Sequence, residues 1–265
     1  MARSKRQQYQ LNKRIEKMLD EKGLVTHAYT QNNLNLLKLY TGYGGLGEEG
    51  TEEDNFGTEL LYEYYTPDEV IEIMWGLLLK HGFEGGKVLE PSCGTGRFLG
   101  LAPQTPKDIS FEGYEISKYS AQIAQLLYPN ATIKQQYFEQ AFLKNRDSVK
   151  GKVKAEFDAV IGNPPYGSLK GGSGGRYMQM GESQYTKATR YEDYFITRSL
   201  DLLKKGGLLC FIVGTAMGKT FLASPSNKTK EAIAAKAKLL EAYKMPNSLF
   251  PYTNVITEII VLEKT

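Results

Sequence analysis

The sequence predicts a seven-stranded, mostly parallel, doubly wound α/β sheet preceded by a helical extension. Three observations carry that prediction. From Lys87 onward, short apolar runs of strand length alternate with longer stretches of helical periodicity. The runs at 156–161 and 208–213 are nearly continuous in apolar residues, as strands covered on both faces must be. Finally, Glu90, Glu115 and Asn163 each fall at the carboxyl end of a strand, where open α/β sheets bind ligands.

Composition narrows the function without naming it. The 265 residues are 41% hydrophobic, enough for a core, and carry a net charge of only +3. Charge is unevenly placed. Residues 1–22 hold Arg3, Lys5, Arg6, Lys13, Arg14, Lys17 and Lys22, residues 41–72 hold acids with no Lys or Arg, and residues 204–244 are mostly basic. Such asymmetry suits steering of a polyanion, and it equally suits solvated helix faces. Cys93 and Cys210 lie far apart inside apparent core elements, which fits a reducing compartment and argues against a disulfide scaffold or a zinc cluster. No signal-like segment or 18-residue apolar run is visible, so a soluble cytoplasmic protein without a membrane partner or a metal is expected. Two parts are expected, an extension over 1–60 and the main domain over 61–265.

In chain order, residues 6–22 read as an amphipathic helix with Leu11, Ile15, Met18 and Leu19 on one stripe. Residues 31–39 read as a second helix. The glycines and aromatics of Tyr40 to Gly47 suggest a packed loop with close backbone approach. Residues 48–59 are acidic and read as an exposed loop. Thr66, Pro67 and Glu69 look like N-cap, first helical position and capping box of the next helix, whose stripe is Ile71, Met74, Trp75 and Leu78. A capped helix start also offers free N–H groups to a carboxylate.

Lys87 to Glu90 is the first strand of the sheet. It leads into Pro91-Ser92-Cys93-Gly94-Thr95-Gly96-Arg97-Phe98, where the glycines permit a tight turn against a ligand. This is not a dinucleotide fingerprint, because the third glycine is missing and Glu90 would repel a pyrophosphate. Glu90 suits a cationic group, such as an α-ammonium. Ser110 to Glu115 is the second strand. Glu115 lies 19 residues after Gly96 (115 − 96), where a carboxylate can take both hydroxyls of a ribose, and Ile116 would lie against an adenine. Alternatively, Glu115 is an acid favoured by the dipole of the helix over 117–127. Residues 131–136 make a third strand, followed by Tyr137 and Phe138.

The fourth strand, Glu156 to Ile161, runs into Asn163-Pro164-Pro165-Tyr166. Two prolines fix φ and remove two donors, so carbonyls project from a stiff turn beside the Asn163 amide oxygen. Two acceptors and the Tyr166 face suit an amino group on a flat ring. They would draw such an amine toward a tetrahedral nitrogen and free its lone pair for attack. A plain turn at a strand end is the bland alternative.

Asn163-Pro164-Pro165-Tyr166 resembles the catalytic motif of amino-methyltransferases that use S-adenosylmethionine, above all the DNA adenine-N6 methyltransferases. Glu-Pro-x-x-Gly-x-Gly after a strand is similar to the cofactor loop of that class, and Tyr65-Thr66-Pro67 resembles its segment contacting the methionine end. The resemblance covers roughly residues 62–265 and implies a Rossmann-like fold with the gamma-like order of motifs. It implies catalysis by Asn163, Pro164, Pro165 and Tyr166. Cofactor contacts are implied at Tyr65, Thr66, Pro67, Glu90, Pro91, Cys93, Gly94, Gly96, Phe98, Glu115, Ile116 and Asn163. An Asp that often meets the cofactor adenine is absent here, and Phe138 is the expected substitute. The Tyr40–Gly47 stretch resembles a segment preceding the methylase core in large methylase–helicase proteins of phages and mobile elements.

Residues 168–190 are rich in Gly, Ser and Gln, and Lys170, Arg176, Lys187 and Arg190 could touch phosphates of DNA. A helix over 191–203 with Tyr194 and Phe195 inward, a strand over 206–213, a basic helix over 228–239 and two strands at 240–246 and 256–263 complete the chain. The last two are joined through Asn247 to Pro251 and resemble the family's closing hairpin. No room is evident for a separate target-recognition domain. Either the extension and the 168–190 loop read DNA, or specificity is low, or a recognition, helicase or restriction partner is needed. Other readings stay open: an rRNA or release-factor glutamine methyltransferase, a non-catalytic DNA-binding subunit or antirestriction decoy, and, as a poor third, an NAD-dependent oxidoreductase.

Overall fold

A computed structural model describes residues 3–42, 65–143, 153–167, 188, 190–215, 227–246 and 256–265. The acidic loop at 48–59, most of the glycine-rich Tyr40–Gly47 stretch, the basic residues Lys170, Arg176 and Lys187, and the 247–251 connection lie outside these residues.

Seven strands form one sheet in the order β3-β2-β1-β4-β5-β7-β6. They are β1 (Gly86–Glu90), β2 (Ile109–Glu115), β3 (Thr132–Gln135), β4 (Phe157–Gly162), β5 (Leu203–Thr215), β6 (Ala237–Lys244) and β7 (Ile256–Lys264). The first five run parallel, and β7 pairs antiparallel with both β5 and β6, closing the sheet with the expected hairpin.

Two cores explain the apolar runs. Val160, Leu209, Phe211, Val213, Ile260 and Leu262 face one way, onto α7 (Tyr191–Leu202) and Phe142 of α6 (Gln140–Leu143). The alternate residues Ala159, Ile161, Cys210, Ile212, Ile259 and Val261 face the other way, onto α3 (Asp68–Lys80) and Phe98 of α4 (Arg97–Gly100). Helices on both sides leave no solvated face, so hydrophobic alternation vanishes from the central strands.

The extension is α1 (Lys5–Lys22) and α2 (Gln31–Leu37). Ser4 and Thr30 cap them with reciprocal capping boxes. Ile15, Leu19 and Leu37 pack with Ile123 and Leu126 of α5 (Lys118–Leu127). Buried Gln8 and Asn12 on α1 also hold the chain that follows α2: Gln8 donates to the Leu39 carbonyl at 3.0 Å, and Asn12 donates to that of Gly42.

Two local expectations are corrected. The basic helix is α8 (Asn227–Ala234), and β6 already begins at Ala237 rather than 240. Ala237 to Leu239 pair with Lys264 to Leu262, so ladder formation overrides the helix preference of an alanine-rich run. The helix after Thr66 starts one residue late for a capping box. Pro67 holds the N-cap without a side-chain bond, and its carbonyl accepts from Val70 at 3.1 Å.

Candidate functional site

The strand order reverses between β1 and β4, and that switch point opens a crevice beyond their carboxyl ends. Glu90 ends β1, Asn163 follows β4, and Glu115 ends the neighbouring β2. Contacts confirm that these ends meet. A Cβ built on Gly162 would lie 3.4 Å from Glu90 Cγ, and Ser92 Oγ lies 3.4 Å from the Asn163 carbonyl oxygen. Gly94 N–H donates to Glu115 Oε2 at 2.8 Å.

The loop after β1 is shaped by two glycines. Gly94 has φ +51° and Gly96 has φ +80°, both in the left-handed region that favours glycine. At Gly96 there is no room either, since a Cβ would stand 2.7 Å from the Tyr128 ring. The loop is fastened by Cys93 N–H to the Tyr114 carbonyl at 2.9 Å. Cys93 itself is buried, with its sulfur against Gly113 of β2. Pro91 is buried beside it.

The two acids differ in how they are held. Glu115 accepts from Gly94 N–H and, through Oε1, from Ser117 N–H at 2.8 Å. Burial raises its pKa, and those backbone donors together with that of Ile116 oppose the rise. Glu90 is 1% exposed, and its Oε2 has no hydrogen-bond partner among the described residues. Burial first, and the neighbouring Glu115 charge second, push it well above the usual carboxylate range. An unpaired acid at such depth is costly and calls for a cationic partner.

The tip after β4 is tied to the start of α3. Asn163 Nδ2 donates to Thr66 Oγ1 at 3.2 Å, and the Tyr166 hydroxyl donates to Asn163 Oδ1. The amide is thereby oriented with its oxygen as acceptor. Thr66 serves this bond rather than the expected helix cap. Burial holds the Tyr166 phenol well above its ordinary pKa, with the Glu192 charge adding to the effect. Pro164 is buried and Pro165 half-buried. Tyr65 lies across the loop, its hydroxyl 3.3 Å from Ser120 Oγ and its ring beside Gly94. Ile116 is half-buried directly after Glu115.

Three expected contacts look different in the structure. Phe98 is buried with the α3 core, and its carbonyl accepts from Trp75 Nε1 at 3.0 Å. Phe138 stacks on Phe195 at 5.3 Å and meets Tyr114, Phe142 and Tyr194 edge-on. It is 2% exposed, so its ring is spent largely on packing. Arg190 does not stand free for phosphates: its guanidinium pairs with buried Glu192 at 2.6 Å. Sequence reasoning passed over Ser92 and Glu192. An acid in the first turn of a helix was the one visible signal for Glu192.

The seven-stranded sheet, with its antiparallel β7 and its switch point between β1 and β4, is the Rossmann-like fold of the methyltransferases that use S-adenosylmethionine as cofactor. Within that class, the chain belongs to the Eco57I restriction-modification methylase family, whose model matches residues 86–250. It is 30% identical over 239 residues to Defense against restriction protein B of Escherichia phage P1, covering 89% of this chain and 9% of that protein. It is 25% identical over 167 residues to the modification methylase CviBIII of Paramecium bursaria Chlorella virus NC1A, covering 62% of this chain and 41% of that one. The chain thus spans less than half the length of each of these relatives. In fold it resembles the methyltransferase subunit of a type I restriction-modification system from Streptococcus thermophilus. That likeness has a TM-score of 0.56 at 18% identity, over 77% of this chain and 45% of that one.

Among the described residues, no group of three or more His, Cys, Asp or Glu could hold a metal ion, and no helix is long and apolar enough to cross a membrane.

Proposed function

We propose that the chain transfers a methyl group from S-adenosylmethionine to the N6 amine of an adenine flipped out of DNA. The observation that carries this reading is the oriented Asn163 amide, set at the switch point beside Glu90. The domain over 61–265 would act on DNA in the cytoplasm of a host cell, with or without a recognition partner.

The residues present fit the cofactor. The unpaired Glu90 oxygen matches an α-ammonium. Glu115 spends two acceptor positions on backbone donors, and a carboxylate has about four, leaving capacity for a ribose diol. Gly94 and Gly96 let the loop backbone approach closely. Tyr65, beside Gly94, and Thr66, bonded to Asn163, would line the same site, with Pro67 and Ile116 next to them in the chain. When bound, S-adenosylmethionine supplies a methyl group on a positively charged sulfur, an electrophile for nitrogen.

The rest falls to the tip. Asn163 Oδ1 and the Pro164 carbonyl accept the two N–H bonds of the target amine, drawing its lone pair out of conjugation with the ring. As the nitrogen–carbon bond forms, the carbon–sulfur bond would break to leave a neutral thioether, and the positive charge passes to the nitrogen. The same two acceptors then bind it more strongly than in the ground state, which is what accelerates the step. The extra proton leaves to solvent. In the free protein the Tyr166 hydroxyl occupies Oδ1 and its ring packs against the α3 core, so the incoming amine replaces one donor with another and the ring of Tyr166 would turn from that packing to stack on the base. Flipping the base costs a few kcal/mol, which stacking and these hydrogen bonds offset.

The test is direct. Protein, S-adenosylmethionine and unmethylated plasmid are incubated, and the DNA is digested to nucleosides for mass spectrometry. N6-methyladenine is expected. Its absence while the cofactor still binds would overturn DNA adenine as the acceptor, and methylated rRNA or release factor in parallel reactions would replace it. The phage relative gives the activity a place, since a methyl mark of this kind would protect DNA from restriction.

A further inference from the structure

Gly167 closes the tip, and its surroundings are unlike those of the other residues there. Pro164 and Pro165 have no N–H, so among the described residues Gly167 carries the backbone anchor on that side of the turn. Its N–H donates to Glu192 Oε2 at 3.2 Å, and its carbonyl accepts from Tyr191 N at 3.0 Å. Residues 24 and 25 positions away in sequence therefore grip one glycine. At φ +112° that glycine is in a region side chains avoid, although a Cβ would meet nothing within 4 Å. Backbone shape, not space, demands glycine here.

Glu192 is wholly buried. Its other oxygen takes the Arg190 guanidinium at 2.6 Å, and it lies in the first turn of α7. A buried carboxylate carries a desolvation cost, and a packed apolar residue at that position would avoid it. The retained acid has one conspicuous use, which is to hold the Gly167 amide. From there the chain of contacts runs through Tyr166 to Asn163 and on to Thr66.

We infer that Glu192, held by Arg190, is a positioning residue that clamps the Asn163–Gly167 tip in its acceptor geometry. The inference rests on the catalytic role given above to Asn163. It assigns Arg190 an internal task in place of a phosphate contact. Loss of the clamp should misplace the acceptors without touching the cofactor crevice, and a misplacement of about 1 Å is enough to cost roughly a hundredfold in rate.

The test uses the full chain and two readouts. Glu192→Ala removes the carboxylate, and Glu192→Gln keeps an acceptor for Gly167 in the same volume. Hydrogen exchange over residues 163–167 reports the clamp without any substrate. Single-turnover plasmid methylation and calorimetric binding of S-adenosylmethionine report its consequence. In Glu192→Ala, faster exchange at the tip, roughly ten- to hundredfold slower methyl transfer and unchanged cofactor affinity are expected. Glu192→Gln should restore most of both exchange protection and rate. Unchanged exchange or unchanged rate in Glu192→Ala would overturn the clamp. So would a slow Glu192→Gln that binds cofactor and melts normally. If the wild type leaves DNA unmethylated, the proposed reaction fails, and the exchange experiment still decides on the clamp. Should Glu192→Ala not fold, Glu192→Gln against Arg190→Gln decides by the same readouts, with a slower, less protected tip expected in the second alone.

Discussion

The two banks of the crevice are built by opposite means. On the β1–β2 bank, the proposed cofactor site rests on carboxyls taken out of water: Glu90 is buried with an oxygen unpaired among the described residues, close enough to Glu115 to feel its field. On the β4 bank, the groups proposed to hold the target amine are neutral and rest on stiffness: two prolines, one amide tied to Thr66, and a glycine gripped from α7. A charged bank can be tuned by protons. A stiff neutral bank can be damaged only by loosening it. The two should therefore fail differently when altered, the first in affinity and the second in rate.

The largest effect should come from the stiff bank. Asn163→Ala removes an acceptor made for the transition state, and turnover should fall by roughly 10²–10³-fold or more. Cofactor affinity by calorimetry should barely change. Retained turnover would sink the assignment of Asn163. Equal loss of both would erase the contrast between the banks.

Glu90→Gln probes the charged bank and should weaken cofactor binding roughly ten- to hundredfold, the worth of a hydrogen bond to a charged group. The sign of its pH dependence follows from the raised pKa. Without cofactor, folded Glu90 holds its proton more tightly than the unfolded chain does. Stability from that proton is present at low pH and is lost as pH rises from the ordinary carboxylate range toward the raised value. An ammonium partner favours the ionised form, so binding expels the proton. Affinity in the wild type should tighten as pH rises toward that raised value and then level off. Calorimetry across pH should find this slope flattened in Glu90→Gln, and a slope equal to the wild type's would assign the proton elsewhere.

The charged bank was easier to read from sequence than the stiff one, for a physical reason. Glu90, Gly94, Gly96 and Glu115 are local signals: an acid at a strand end and glycines where the chain must turn. Asn163 to Tyr166 was legible because prolines constrain their own backbone. What escaped notice depends on partners far along the chain. Thr66 has the sequence of a helix cap, yet its hydroxyl serves an amide 97 residues away. Glu192 and Arg190 look like surface charges until Gly167, 25 residues from Glu192, is placed beside them. Phe138 could be given to a ligand or to the core by its type alone, and only the packing of Phe195 and Tyr194 decides. The border of α8 and β6 was lost because strand pairing, not local preference, fixes where the alanine-rich run changes form.

Gly96→Ala sharpens the comparison by straining the charged bank without altering any charge. Its φ of +80° and the Tyr128 ring 2.7 Å from a new Cβ both oppose the substitution. A loss of about 1–3 kcal/mol is expected, read as a lower midpoint in thermal or urea unfolding. Cofactor affinity should fall with it, while the rate at saturating cofactor should stay within a few-fold of wild type. A rate loss much larger than the affinity loss would mean that the glycine loop also shapes the tip.

Thr66→Val is the smallest and the most discriminating change, because Thr66 stands between the banks. It is buried, and valine conserves its shape while deleting the acceptor for Asn163 Nδ2. A neutral hydrogen bond is worth about 1 kcal/mol, so the rate should fall about fivefold. Had Thr66 capped α3, the substitution would cost helix stability instead, but Pro67 holds the N-cap and no side chain caps it. Unfolding should therefore shift by little more than the about 1 kcal/mol of the lost hydrogen bond, and cofactor affinity should change less than the rate. If affinity falls and the rate does not, Thr66 belongs to the charged bank, and Asn163 takes its orientation from Tyr166 and the prolines alone.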